Sequence, residues 1–213
     1  MDIEKLEVGG SLRLKGPLKA GVLNVGGSLN VEGDVEVEKL FVGGSVKITG
    51  SLKAREVSIG GSIKVDGDIK VEQVFTLGGS GEISGDIEAG EAIIEGTIEC
   101  HVLKARVVNI SGKVKADKVI GHTIEIGKKS KIHGVLIGCR IIIQKDSEVK
   151  QVIGKLIRIE RGVEVDRVEA RIVEVDEAEV GELFYIEKAE VSEKAKVKKM
   201  SKIDKLSMEL ECA

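Results

Sequence analysis

V-G-G-S-L-N-V-E-G-D-V-E-V-E-K-L-F, residues 25–41, is followed at once by V-G-G-S-V-K-I-T-G-S-L-K-A-R-E-V-S, residues 42–58. The two blocks are in register over 17 positions, and the register extends in both directions. Gly-Gly pairs fall at Gly9-Gly10, Gly26-Gly27, Gly43-Gly44, Gly60-Gly61 and Gly78-Gly79, at spacings of 17, 17, 17 and 18. An apolar residue precedes each pair (Val8, Val25, Val42, Ile59, Leu77) and a serine follows each (Ser11, Ser28, Ser45, Ser62, Ser80). A fixed period of this size is the signature of a repeat architecture.

Within a unit the apolar residues keep fixed offsets: Val25, Leu29, Val31, Val35, Val37 and Leu40, then Val42, Val46, Ile48, Leu52, Ala54 and Val57, then Ile59, Ile63, Val65, Ile69, Val71 and Val74. Pairs two apart, broken by turns, are a strand pattern. One unit cannot bury its inward row alone. Stacking the next coil about 4.8 Å away pairs the backbones and covers that row with its own copy. The expectation is an all-β, single-stranded β-helix with coils of about 17 residues.

A second phrase, apolar-x-apolar-x-x-apolar, outlasts the glycine turns: Leu18–Leu23, Val35–Leu40, Leu52–Val57, Ile69–Val74, Leu103–Val108, Val114–Val119 and Val163–Val168. V-L-K-A-R-V-V-N-I (102–110) echoes S-L-K-A-R-E-V-S-I (51–59), so the solenoid continues. Beyond about Gly121 the period becomes irregular. From Ser192 onward Val197, Met200, Ile203, Leu206 and Leu210 recur every three or four residues, which predicts a short amphipathic helix whose simplest job is to cap the last coil, with a partner-binding helix or a frayed end as the alternatives. The expected division is therefore a solenoid over 1–191 and a charged tail over 192–213.

Outward positions form columns too. One reads Lys19, Glu36, Lys53, Lys70, Glu88 and another Glu38, Arg55, Glu72, which sets opposite charges on most neighbouring coils. Phe41 and Phe75 each follow an inward residue in the same outward column as Asn24 and Ser58, so both are expected to face out, either partly buried at a corner or offering a lateral contact between rods.

Composition narrows the function classes. Thirty-three basic and 36 acidic residues nearly cancel, leaving no basic field for nucleic acid. Aromatics are 2% of 213 residues, and no run approaches the ~20 apolar residues of a membrane helix. M-D-I-E-K-L-E-V at the start has neither a basic nor an apolar signal region. Three widely spaced cysteines, Cys100, Cys139 and Cys212, argue against a disulfide framework and for a reducing, cytoplasmic setting. Abundant Glu, Lys and Val with three Asn and three Gln resembles thermophile usage.

No catalytic, cofactor or metal constellation emerges. The Gly-Gly-Ser turns run into strands, whereas phosphate loops run into helices. His101, His122 and His133 lie apart and lack a second ligand type at metal spacing. Cys100 falls on an inward offset, and nothing near Cys139 supplies a base to activate its thiol. Asp34, Asp68 and Asp86 follow mid-coil glycines, but Pro17 and Ser51 interrupt the row, so turn chemistry explains them. Ile126–Lys131 and Val191–Lys196 each match one hexapeptide turn of acyltransferase solenoids, which need long unbroken runs of six.

V-E-G-D-V-E-V-E-K-L-F-V-G-G-S-V (31–46) and V-D-G-D-I-K-V-E-Q-V (65–74) resemble bactofilin repeats, and the resemblance covers Val8 to Val119 well and the remainder loosely. It implies a right-handed β-helix of triangular section that polymerises end to end without nucleotide, forming non-polar filaments that scaffold other proteins, often at membranes. This chain departs from the family in beginning its first coil almost at once, without a membrane-targeting segment.

The expected function is thus a structural, cytoskeletal-type scaffold and not an enzyme. Assembly would run through the first coil, where Ile3, Leu6, Val8 and Leu12 can pair with another subunit's end. Two open ends give filaments, whereas a C-terminal cap gives a head-to-head dimer. Client proteins are unspecified. The alternatives are a non-polymerising solenoid binding module for a protein or glycan and, below it, a β-helix enzyme.

Overall fold

The computed structural model describes residues 3–208, 210 and 212. Every regular element is a strand, every pairing is parallel, and the chain divides into two compact units, 1–105 and 106–213. The result is the expected parallel β-solenoid.

The first unit stacks short strands: β1 (Ile3–Val8), β2 (Ser11–Lys15), β3 (Leu18–Val25), β4 (Ser28–Glu32), β5 (Val35–Val42), β6 (Ser45–Ile48), β7 (Leu52–Ile59), β8 (Ser62–Val65), β9 (Ile69–Leu77), β10 (Ser80–Ile83), β11 (Ile87–Ile94) and β12 (Thr97–Ile110), within which the unit ends. Strands pair one coil apart, as in Leu23↔Leu40, Leu40↔Val57 and Val31↔Ile48. The inward rows form the core: Leu40, Val31 and Val65 are fully buried.

The two glycines of each turn do different work. A Cβ on the second would lie 2.0 Å (Gly44) or 1.9 Å (Gly61) from a backbone oxygen of the preceding coil, whereas the first (Gly43) has open space. The turn therefore survives loss of the first glycine, and Glu95-Gly96 continues the series, with Gly96 again 1.9 Å from a backbone oxygen. At the mid-coil turn side chains replace backbone partners: Ser51 N–H donates to Asp34 Oδ1 (2.8 Å), Asp68 N–H to Ser51 Oγ (3.3 Å) and Asp86 N–H to Asp68 Oδ1 (2.9 Å). The interrupted Asp row is a turn ladder, in which Ser51 performs the same task as its neighbours.

Phe75 corrects the expected aromatic column. β9 carries one extra residue against β7, with Ala54↔Val71 followed by Glu56↔Val74, so Phe75 pairs with inward Val57 and not with Ser58. This bulge turns Phe75 inward, where it is fully buried, and turns Val74 to the half-exposed face. Its neighbour a coil later is Ala92, small enough to accommodate the ring. Only Phe41 faces solvent, at 38% exposure.

The second unit uses longer strands: β13 (Lys113–Ile126), β14 (Lys131–Ile143), β15 (Glu148–Ile159), β16 (Glu164–Val175), β17 (Glu179–Val191) and β18 (Lys196–Lys202). The register Val114↔Ile132↔Val149↔Val165↔Val180↔Val197 gives coils of 18, 17, 16, 15 and 17 residues, which is why the period blurs in the sequence. The Gly-Gly-Ser turn gives way to I-G-K-K-S-K (126–131), I-Q-K-D-S-E (143–148) and I-E-R-G-V-E (159–164). Each places one residue in the left-handed region: Lys129 at φ 59°, Asp146 at φ 61° and Gly162 at φ 72°. Ser130 and Ser147 are buried in these turns and each donates its hydroxyl to the Gly127 carbonyl, at 2.8 and 2.9 Å. The two hexapeptide matches thus belong to a recurring turn of this solenoid.

The tail contradicts the sequence expectation of a helix. Val197 and Met200 lie on β18, which pairs in parallel with β17 through Val180↔Val197 and Leu183↔Met200. Two outward residues separate inward ones at each coil here, as in Val165/Val168 and Val180/Leu183, so a spacing of three is the corner spacing of the solenoid and imitates a helical period. Ile203, Leu206 and Leu210 follow in irregular backbone.

Candidate assembly surfaces

The inward row is sealed except at the terminal coils. In the first unit Leu6, Leu12 and Leu14 are half-buried, while their partners one coil on, Leu23, Leu29 and Val31, are 1%, 2% and 0% exposed. Ile3 is half-buried as well, and Val8 is already covered. In the second unit Val180 and Leu183 are buried, whereas their partners Val197 and Met200 are not, and Met200 is 53% exposed. Each terminal strand thus presents an apolar row and one edge of a parallel ladder, the arrangement that templates strand addition.

The side faces are charged ladders. Glu36 lies between Lys19 (2.6 Å) and Lys53 (3.6 Å), and these ammonium groups, Lys19 foremost, hold its carboxyl below the ordinary range. Lys39 meets Glu56 at 2.9 Å and Lys70 meets Glu88 at 3.4 Å. Such exposed pairs are screened by solvent and favour register more than stability. A shallow groove follows the hydroxyl column of Ser28, Ser45, Ser62 and Thr97, flanked by Lys47 and Lys64, with Ser28 and Ser45 Oγ 2.9 Å apart.

Residues 3–97 match the family model described as bactofilin, polymer-forming cytoskeletal. Over this segment the chain is similar to bactofilin domains. No curated protein and no solved structure matches the chain. The matched segment contains the N-terminal open edge, the glycine turns and Phe41. It ends at Thr97, near the start of β12, after which the turn chemistry changes.

The second unit carries a feature absent from the sequence-based expectation. Beyond β18 the chain doubles back along the flank of its own coils. Ser207 N–H donates to Glu169 Oε2 on β16 at 2.9 Å, and Cys212 forms a disulfide with Cys139 on β14, with Cα atoms 5.8 Å apart. Ile137, Ile153 and Glu169 form one column by register, and alternation turns them outward; even so, they are only 6%, 2% and 2% exposed. Leu206, Met208, Leu210 and Cys212, half-buried at every second position, supply the cover. The outward column was legible as V-I-G (152–154) and L-I-G (136–138), consecutive apolar residues that mark strands buried on both faces.

Glu169 anchors this strap. Its Oε1 accepts from Arg167 Nε (3.0 Å) and Nη2 (2.8 Å). Burial raises the affinity of the Glu169 carboxylate for a proton, but the bonds from Ser207 and the Arg167 guanidinium outweigh it and the pKa is lowered. Arg167 also lies 4.6 Å from the Phe184 ring centre. The disulfide overturns the reading of the cysteines as unpaired and removes that basis for a reducing compartment. Cys100 is buried in the first unit, as its inward offset predicts. His101, His122 and His133 are all exposed, and among the described residues no three His, Cys, Asp or Glu gather where a metal could sit. Among those residues no helix is long and apolar enough to cross a membrane.

Proposed function

We propose that this chain is a cytoskeletal-type scaffold that assembles end to end through its terminal coils, without nucleotide. The observation that carries this reading is the exposure pattern: the inward row is open in the first coil of the first unit, at Ile3, Leu6, Leu12 and Leu14, and along the last strands of the second, at Ala189, Val191, Val197 and Met200. Stacking a further coil would bury those side chains, at roughly 1.5–3 kcal/mol for a fully buried Leu, Val or Met, and would pair the open backbone edges. Because the tail follows the flank and leaves Met200 uncovered, both ends are available, which favours filaments over a head-to-head dimer.

The family match supports the polymer reading, since a bactofilin domain is polymer-forming and cytoskeletal. A cytoplasmic location belongs to this proposal; disulfides persist there in hyperthermophiles, and the composition resembles theirs. The decisive experiment is negative-stain microscopy of purified protein without nucleotide, beside Leu6→Lys/Leu12→Lys and Met200→Lys. Filaments in the parent and short particles in both variants are expected. A parent that remains monomeric at high concentration in both low and high salt would sink the proposal and favour the binding-module reading, for which the hydroxyl groove is the available surface.

A further inference from the structure

We propose that the C-terminal strap is a redox-latched cover over an apolar flank of the second unit. Two attachments hold it: the hydrogen bond from Ser207 N–H to Glu169 and the Cys139–Cys212 disulfide. They are unlike in kind. The hydrogen bond is local and reversible, whereas the disulfide closes a loop of 73 residues' separation and opens only by thiol chemistry. Cys212 is the more accessible residue of the pair, being half-buried, while Cys139 is 9% exposed.

A dithiol reductant approaches from the Cys212 side. Its thiolate bonds to Cys212 Sγ as the Sγ–Sγ bond breaks, and Cys139 leaves as a thiolate that takes a proton. The second thiol of the reductant then displaces Cys212, which is protonated in turn. Two electrons and two protons reach the protein, and the reductant becomes its own disulfide. What remains is a tail held by the Ser207–Glu169 hydrogen bond and apolar contact.

Release matters because of what lies beneath. Ile137 and Ile153 face outward yet are kept 6% and 2% exposed, whereas outward Phe41 and Leu156, which nothing covers, are 38% and 48% exposed. With the strap gone they form an apolar strip flanked by the Glu169 carboxylate and the Arg167 guanidinium. The covering segment is built for this strip: Leu206, Met208, Leu210 and Cys212 alternate with Ser207, whose N–H meets the carboxylate. Oxidation therefore closes the flank and reduction opens it.

The test uses the full chain, with an apolar fluorescent dye and trypsin cleavage in the Lys202–Lys205 segment as independent readouts. A reduced dithiol should raise dye binding and tail cleavage several-fold, and reoxidation by a small-molecule disulfide, which accepts the two electrons and two protons and becomes two thiols, should reverse both. Cys212→Ser should show the open values with or without reductant, and Cys100→Ser should respond like the parent. A parent whose thiols become alkylatable while dye binding and cleavage stay at the oxidised level, with Cys212→Ser also closed, would overturn the latch. So would a disulfide that resists the dithiol in the folded chain. Circular dichroism of Cys212→Ser separates a released strap from a lost fold, because the ladder signal persists only in the first case.

Discussion

At the scale of single residues, close approach between coils decides which positions can vary. Gly43 and Gly44 are adjacent and look equivalent in sequence, yet only Gly44 meets a backbone oxygen, at 2.0 Å from its Cβ position. Gly44→Ala must push two coils apart and is expected to cost about 3 kcal/mol. Gly43→Ala should change stability by less than about 1 kcal/mol. Chemical denaturation of the two variants measures the contrast, and equal losses would contradict the steric assignment. The phenylalanines make a second pair: Phe75→Ala should lose about 3–5 kcal/mol because the ring is fully buried over Ala92, while exposed Phe41→Ala should lie within about 0.5 kcal/mol of the parent.

At the scale of elements, the strands of the first unit were legible because identical turns hold the coil length at 17 or 18 residues, so periodicity alone locates the core row. The bulge in β9 was not: the Gly78 pair arrives one residue late, but the position of the extra residue depends on pairing, with Arg55 opposed by both Glu72 and Gln73. Gly90 permits the next coil to accommodate it, since a Cβ there would lie 2.6 Å from the Gln73 carbonyl oxygen. In the second unit the turn is defined by one left-handed residue supplied by Lys, Asp or Gly, so no single letter marks it. The strap escaped notice because its partners lie 38 and 73 residues away, and a helical reading fitted the same apolar spacing. Its anchor gives a pH signature. Glu169 has a lowered pKa in the folded chain, so its contribution to holding the strap is present at neutral pH and is lost as pH falls below the ordinary 4.5 through the folded value. The Ser207 amide resonance should therefore titrate below pH 4.5 in the parent and remain flat over that range in Glu169→Gln. A midpoint above 4.5 would reverse the sign and remove Glu169 as a charged anchor.

At the scale of the whole molecule, the proposed assembly uses the coil ends, and their charge should set its salt response. β18 carries Lys196, Lys198, Lys199 and Lys202 and no acidic residue. Lys196 and Lys199 are balanced by Glu179 and Glu182 on the preceding coil. In the proposed assembly, a tail-to-tail contact would bring two such lysine rows together. Two unit charges about 5 Å apart in water repel by about 0.8 kcal/mol. Several such pairs oppose the burial of Val197 and Met200, each worth roughly 1.5–3 kcal/mol when complete. Salt screens the repulsion, with the Debye length falling from about 10 Å at 0.1 M to about 3 Å at 1 M, and leaves the apolar term intact. Filament formation through this end should therefore begin at a lower protein concentration as salt rises, by several-fold between 0.05 and about 0.5 M on these magnitudes. Lys198→Glu/Lys202→Glu should assemble at low salt already and lose most of that dependence. Sedimentation across a salt series reads both curves, and filaments that dissolve as salt rises would show that charge attraction, and not the apolar row, closes the junction.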